Sequence, residues 1–236
     1  MGRIFEKRKH KMFARYAKMS KVFTKIGKEI AIAVRLGGPD PDTNPRLRMV
    51  LTKARTVNVP KANLDSAIKR AVNKEDGDLV EVLYEGKGPH GIGFMVETAT
   101  NNTIRTVANI RSYFKKKNGS LSSQGSLEFL FERLGNYKIE VPAETDLDEL
   151  ELELIDFGAQ EIVREADAIY ITTSFEGYGP MQKSLEDKGL TILHAELTRE
   201  PTQPVQLTEE QEQEVNELIE LIEDDEDVTA VFTTMA

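Results

Sequence analysis

The sequence predicts a multi-domain α and α+β protein: an N-terminal three-helix bundle followed by two small α/β domains, the last of them ferredoxin-like. Three observations carry this. Apolar residues recur at steps of three and four from Met12 to Val72, then give way near Asp78 to β-branched and aromatic runs, a change from the helical to the strand period. Between Tyr137 and Leu197 a strand–helix–strand pattern occurs twice, which makes a βαββαβ unit. After Pro201 and Pro204 one helix and one strand remain; they cannot bury themselves and have to join an earlier sheet. The expected division is a basic helical domain over 1–78, a discontinuous α/β middle domain over 79–134 plus 206–236, and a ferredoxin-like domain over 135–205.

The first helix is expected over 12–36. Met12, Tyr16, Met19, Phe23, Ile26, Ile30 and Ala33 share one face, and Lys18, Lys21, Lys25, Lys28 and Arg35 fall on the other. Gly37, Gly38 and Pro39 end it. Asn44 then offers an N-cap and Pro45 a first helical position, so a second helix runs to about Val57 on Leu47, Val50, Leu51 and Ala54. A third follows Pro60 and should bury Leu64, Ile68 and Val72. Strands over 80–84 and 92–98 flank a Gly-rich turn. A helix over 104–117 should turn Ile104, Val107, Ile110, Tyr113 and Phe114 inward, and 127–131 reads as a third strand. In the duplicated region Leu147, Leu150, Leu154 and Phe157 line one helix, and Met181 and Leu185 the other. Thr208 with Gln211 forms a capping box ahead of Val215, Leu218, Ile219 and Ile222, and 228–233 is the last strand.

Charge is polarised along this plan. Residues 1–75 hold 19 Lys and Arg against 6 Asp and Glu, whereas the remainder holds 12 against 34, for a net charge of -9. A basic first third points to a polyanionic partner; the acidic remainder offers it an internal one. With no cysteine there is no disulfide and no thiolate metal site. No apolar run approaches the ~20 residues of a membrane helix. Glu6, the abundance of Lys and the lack of Ser before Ser20 argue against a transit peptide. A cytoplasmic protein is the expectation.

Catalytic motifs are missing. Gly86, Gly88 and Gly91 satisfy the G-x-G-x-x-G spacing, but a strand follows and Pro89 sits inside, so the segment reads as a hairpin turn and not a dinucleotide site. His10, His90 and His194 form no close metal-ligand pair. The acidic run 223–227 reads as a solvated stretch. No enzyme activity, cofactor, metal or small-molecule substrate is expected.

Several segments together resemble one family: KVFTKIGKEI over 21–30, Ala33 with Leu36-Gly37-Gly38, Asp40-Pro41, Asn44-Pro45-Arg46-Leu47-Arg48 and Lys53-Ala54. Pro60, Ala67-Ile68, Tyr84-Glu85-Gly86, Gly88-Pro89, Gly91, Arg105-Thr106-Val107, Arg111, Phe114, GSLSSQGS over 119–126 and Leu130-Phe131 extend the match. In this the chain resembles the YebC family. That resemblance implies a three-domain protein around a cleft, a probable DNA-binding transcriptional regulator or, in other members, a translational activator at the ribosome, with no catalytic residues. The chain departs at its tip, where Gly2-Arg3-Ile4-Phe5-Glu6 stands in place of the usual Gly-His-Ser-Lys-Trp.

The expected function is a nucleic-acid-binding regulator of gene expression acting on DNA, with ribosomal or messenger RNA, and the ribosome itself, as the alternative target. The expected phosphate contacts are Lys18, Lys21, Lys25, Lys28, Arg46, Arg48, Lys53 and Arg55, extended across the cleft by Arg105, Arg111, Lys115, Lys116 and Lys117. Such contacts position the nucleic acid and carry no base-reading motif.

Overall fold

The computed structural model describes residues 19–75, 77–142, 145–165 and 168–236. Among them seven helices and two antiparallel four-stranded sheets make a mixed α+β architecture.

Three helices come first: α1 (Met19–Gly37), α2 (Pro45–Thr56) and α3 (Lys61–Val72). Asn44 does double duty at the first corner. Its side-chain oxygen accepts from the Leu47 amide at 3.0 Å, capping α2, while its Nδ2 donates to the Ala33 and Gly38 carbonyls at 2.8 Å, closing the end of α1. A Cβ at Gly37 would come within 2.7 Å of that side chain, so the corner requires glycine. Ile26, Ile30 and Ala33 of α1 pack with Leu47, Val50 and Ala54 of α2 and Leu64 and Ala67 of α3. Val72, expected inward, is exposed, because the face α3 turns to the core runs through Leu64, Ala67 and Ala71.

The expectation of one apolar and one cationic face on α1 holds for only part of its length. Residues 30–34 are all buried. Ala31 and Ile32 pack on Leu79 and Ala99, with Ala71 of α3 at the edge of the cluster. A helix apolar all round is a helix covered all round.

The first sheet combines β1 (Val80–Lys87), β2 (Gly93–Thr100), the short β3 (Ser120–Leu121) and β8 (Val228–Thr233) in the order β3-β1-β2-β8. Helices α4 (Thr103–Lys116) and α7 (Glu209–Glu223) supply Ile110, Phe114, Val215, Leu218 and Ile222 to its core, against Phe94, Val96 and Val231. Two expectations fail here. Residues 127–131 are not the third strand: 128–130 form a 3-10 turn, Phe131 opens the next strand, and the Leu127 amide is taken by the Glu85 carboxylate, leaving nothing for a ladder. Ile104 is 81% exposed, since it lies in the first turn of α4, and Thr106 is the residue that turns inward.

The second sheet is built from β4 (Phe131–Glu140), α5 (Leu147–Asp156), β5 (Ala159–Glu165), β6 (Ala168–Ser174), α6 (Tyr178–Asp187) and β7 (Thr191–Pro201), with strand order β5-β6-β4-β7. Its core joins Tyr137, Ile139 and Ile171 to Leu150, Leu154, Met181 and Leu185. Tyr137 stacks on Tyr178 with centroids 4.7 Å apart and donates its hydroxyl to the Tyr178 carbonyl at 2.6 Å. Phe157, expected inward, is exposed just past the end of α5.

Helix α2 also lies against this second sheet. Met49 packs on its core, and Gln182 Nε2 donates to Thr52 Oγ1 at 2.9 Å. Arg199 Nε reaches Glu97 at 2.9 Å, tying β7 to β2. Among the described residues no helix is long and apolar enough to cross a membrane.

Candidate nucleic-acid interface

Most of the cations singled out in the first third point at the protein itself. Lys18 and the Lys21 side chain lie outside the described residues. Lys25 Nζ donates to the Glu223 carbonyl at 3.0 Å, and Lys28 Nζ donates to the Glu226 carbonyl at 2.7 Å and to Asp227 Oδ1 at 2.8 Å. Arg35 binds the Leu79 carbonyl and Asp78. Arg46 pairs with Glu81, and Arg48 donates to the Pro41 and Asp42 carbonyls. Lys53 Nζ lies 2.8 and 3.1 Å from the Glu29 carboxylate. Burial works against the Lys53 ammonium, but Glu29, with Glu196 and Glu97 behind it, outweighs burial and raises its pKa. Arg55 is exposed and has no ion-pair partner among the described residues.

The node of this arrangement is Asp227, only 4% exposed. Its Oδ1 takes Lys28; its Oδ2 accepts from Arg105 Nη2 at 2.7 Å, Thr106 Oγ1 at 2.9 Å and Thr100 Oγ1 at 3.1 Å. Burial alone would raise this carboxyl's pKa, but the hydrogen bonds from Lys28, Arg105 and Thr106 overcome burial and bring it down to about 2. Two residues earlier, Asp225 accepts from Asn109 Nδ2 at 3.0 Å and from the Tyr113 hydroxyl at 2.9 Å. Burial first, then this carboxylate, push the Tyr113 phenol up to about 12. The run 223–227 is therefore solvated only in part: Asp224 and Glu226 are exposed, while Asp225, Asp227 and the backbone carbonyls of the run are the seat into which α1 and α4 place Lys25, Lys28, Arg105 and Tyr113.

A second grouping faces outward. Arg111 and Lys115 sit one turn apart on the same face of α4, exposed and without an ion pair among the described residues. They border a groove of about 660 Å³ between α4, β1 and the loop 119–124, which includes the short β3. Lys116 lies over the Tyr113 ring at 5.8 Å, and Lys117 pairs with Glu217 at 2.6 Å, so the basic triplet divides between the two sides of the helix end. The groove's far wall is held in place from below. Buried Glu85 accepts from the Gly125 and Leu127 amides, and its own carbonyl accepts from the Ser122 amide at 2.8 Å. Gly119 lets the chain pass close: a Cβ there would lie 2.6 Å from the Lys87 carbonyl oxygen. Among the described residues no group of His, Cys, Asp and Glu is arranged to hold a metal ion.

Family models match this chain in two pieces, the TACO1/YebC protein N-terminal domain over residues 3–74 and the TACO1/YebC second and third domain over 79–235. The chain belongs to the TACO1/YebC family. Among curated relatives, a "probable transcriptional regulatory protein" of Cytophaga hutchinsonii is 50% identical over 100% of this chain and 99% of its own length. One of Myxococcus xanthus is 48% identical over the whole of both chains. A crystal structure of a conserved hypothetical protein from Aquifex aeolicus superposes with a TM-score of 0.77 at 35% identity, covering 93% of this chain and 91% of that one. This TACO1/YebC member is thus similar over its whole length to proteins named probable transcriptional regulatory proteins.

Sequence reasoning grouped Lys25, Lys28 and Arg105 with Arg111 and Lys115, whereas in this TACO1/YebC protein they serve two places. It missed Asp227, for which no local signal exists, since the partners lie 122 and 199 positions away. It also missed Glu85 as the clamp of the loop. The juxtaposition of a Lys triplet with a Ser-rich stretch at 115–123 was the available sign of the groove.

Proposed function

We propose that the protein is a DNA-binding regulator of transcription that holds phosphates through its outward cations. The observation that carries this is the pair Arg111 and Lys115, one turn apart and without an ion pair among the described residues, whereas Lys28, Arg46 and Lys53 are taken up by ion pairs. Arg55, Lys61 and Lys69 are exposed on the helical unit and add positive charge to the same chain. The names of the relatives, probable transcriptional regulatory proteins, support the same reading. In it the chain divides into a three-helix bundle over 1–78, a middle unit over 79–134 plus 206–236, and a ferredoxin-like unit over 135–205. The pairing of β8 with β2 and the strand order β5-β6-β4-β7 support that division.

With roughly four to six phosphates engaged, affinity for a duplex should fall about 10²–10³-fold between 50 and 200 mM salt. Anisotropy titrations of a labelled duplex across that range measure it, and a flat salt response refutes the phosphate grip. Sedimentation of a lysate at moderate salt separates the transcriptional reading from action at the ribosome, which predicts comigration with ribosomes.

A further inference from the structure

We infer that the groove between α4, β1 and the loop 119–124 is a binding site for an unpaired nucleotide of a single-stranded segment. The inference rests on the nucleic-acid reading above and names the form of the strand.

The first reason is shape. Proteins that read a duplex insert a convex helix or ribbon into the DNA groove. Here the protein supplies the concavity, and a volume of about 660 Å³ matches the size of a small-molecule pocket. A concave site of this size takes a base only when that base has left its stack.

The second reason is the chemistry of the lining. A nucleotide offers a flat apolar base with a polar edge, a sugar and a phosphate, and the groove has a counterpart for each. Tyr84 and Leu121 provide an aromatic and aliphatic wall for a base face. Gln124, exposed at the rim, carries both a donor and an acceptor for a base edge. The Ser122 hydroxyl also lines the groove and makes no hydrogen bond among the described residues, leaving it open to a sugar. Arg111 and Lys115 stand together on one side for the phosphate. Glu85, the one carboxylate of the lining, has both oxygens occupied by loop amides and is buried, so it fixes the wall and does not face the ligand as a free anion.

The third reason is preorganisation. The Glu85 clamp and the close passage at Gly119 hold the loop against β1 before any ligand arrives, which lowers the ordering cost of binding.

The test uses the full chain and three fluorescein-labelled probes: a 12-nucleotide oligouridylate, a 12-nucleotide oligothymidylate, and an abasic ribose-phosphate oligomer of equal length. The two base-bearing strands should bind at least tenfold more tightly than the abasic one, and Arg111→Ala with Lys115→Ala should weaken them at least tenfold. The tighter of the two names the sugar. Photocrosslinking of a 4-thiouridine-containing strand to the unaltered protein should place the adduct on Tyr84 or within 119–124. Equal affinity for the abasic strand, or adducts placed only elsewhere, overturns the groove assignment and leaves the phosphate grip standing. Failure of every probe and of duplex DNA to bind at 50 mM salt overturns both.

Discussion

Replacing Asp227 by Asn tests whether the acidic turn is the fastening between α1 and the first sheet. Asn keeps the shape and one acceptor but presents an amide where the carboxylate meets four donors: Lys28, Arg105, Thr106 and Thr100. Breaking a buried pair from one side costs ~3–5 kcal/mol. Arg105 is half exposed and can turn to water, so a value of about 2–3 kcal/mol is expected. In urea this lowers the midpoint by about 1 M, read by far-UV circular dichroism at pH 7. The pH dependence has a fixed sign. The folded pKa, about 2, lies below the ordinary 3.8. The ionised carboxylate therefore contributes stability above pH ~4, and that contribution disappears as pH falls through about 2. The shift corresponds to on the order of 2 kcal/mol at pH 7, of which about 1 kcal/mol is lost by pH 3. Asn does not titrate. The gap between the two proteins should therefore narrow by about 1 kcal/mol at pH 3. An unchanged midpoint at pH 7, or a gap that stays constant or widens on acidification, refutes the account.

Other outcomes follow from the same geometry. Glu85→Ala strips the Gly125 and Leu127 amides of their acceptor, at a cost of about 2–3 kcal/mol; hydrogen exchange should accelerate over 122–127, and full protection there would count against the clamp. Gly119→Ala drives a methyl to within 2.6 Å of the Lys87 carbonyl, so a loss of about 1–3 kcal/mol in thermal unfolding is expected. Thr208→Ala removes the side-chain half of the capping box on α7 and should cost about 1 kcal/mol, whereas Thr208→Ser should cost almost nothing.

What the sequence disclosed and what it concealed divide by range. Local chemistry was legible: Asn44 caps α2, Thr208 and Gln211 form their capping box, and the leftover C-terminal strand completes the first sheet by pairing with β2. Periodicity identified the seam of α1 but says nothing of what lies beyond its other face. There Lys25 and Lys28 meet backbone and carboxylate groups 198 and 199 residues later. The same limit explains α4. An apolar count places Ile104 inward, yet Thr106 is buried because its hydroxyl has an acceptor in Asp227. A polar side chain is admitted to the interior only when its partner is already there, and that partner belongs to a distant segment. Arg111 and Lys115 stand out for the complementary reason: among the described residues no ion pair satisfies them.

The placement of β8 gives the molecule an order of completion. A chain leaving the ribosome presents its N-terminal segments first, and the helix carrying Lys25 and Lys28 emerges long before the turn that receives them. Until the last strand is made, the first sheet lacks an edge and α1 lacks its acidic seat. For most of its own synthesis the newborn chain carries a net positive charge, which the acidic segments beyond residue 139 progressively cancel.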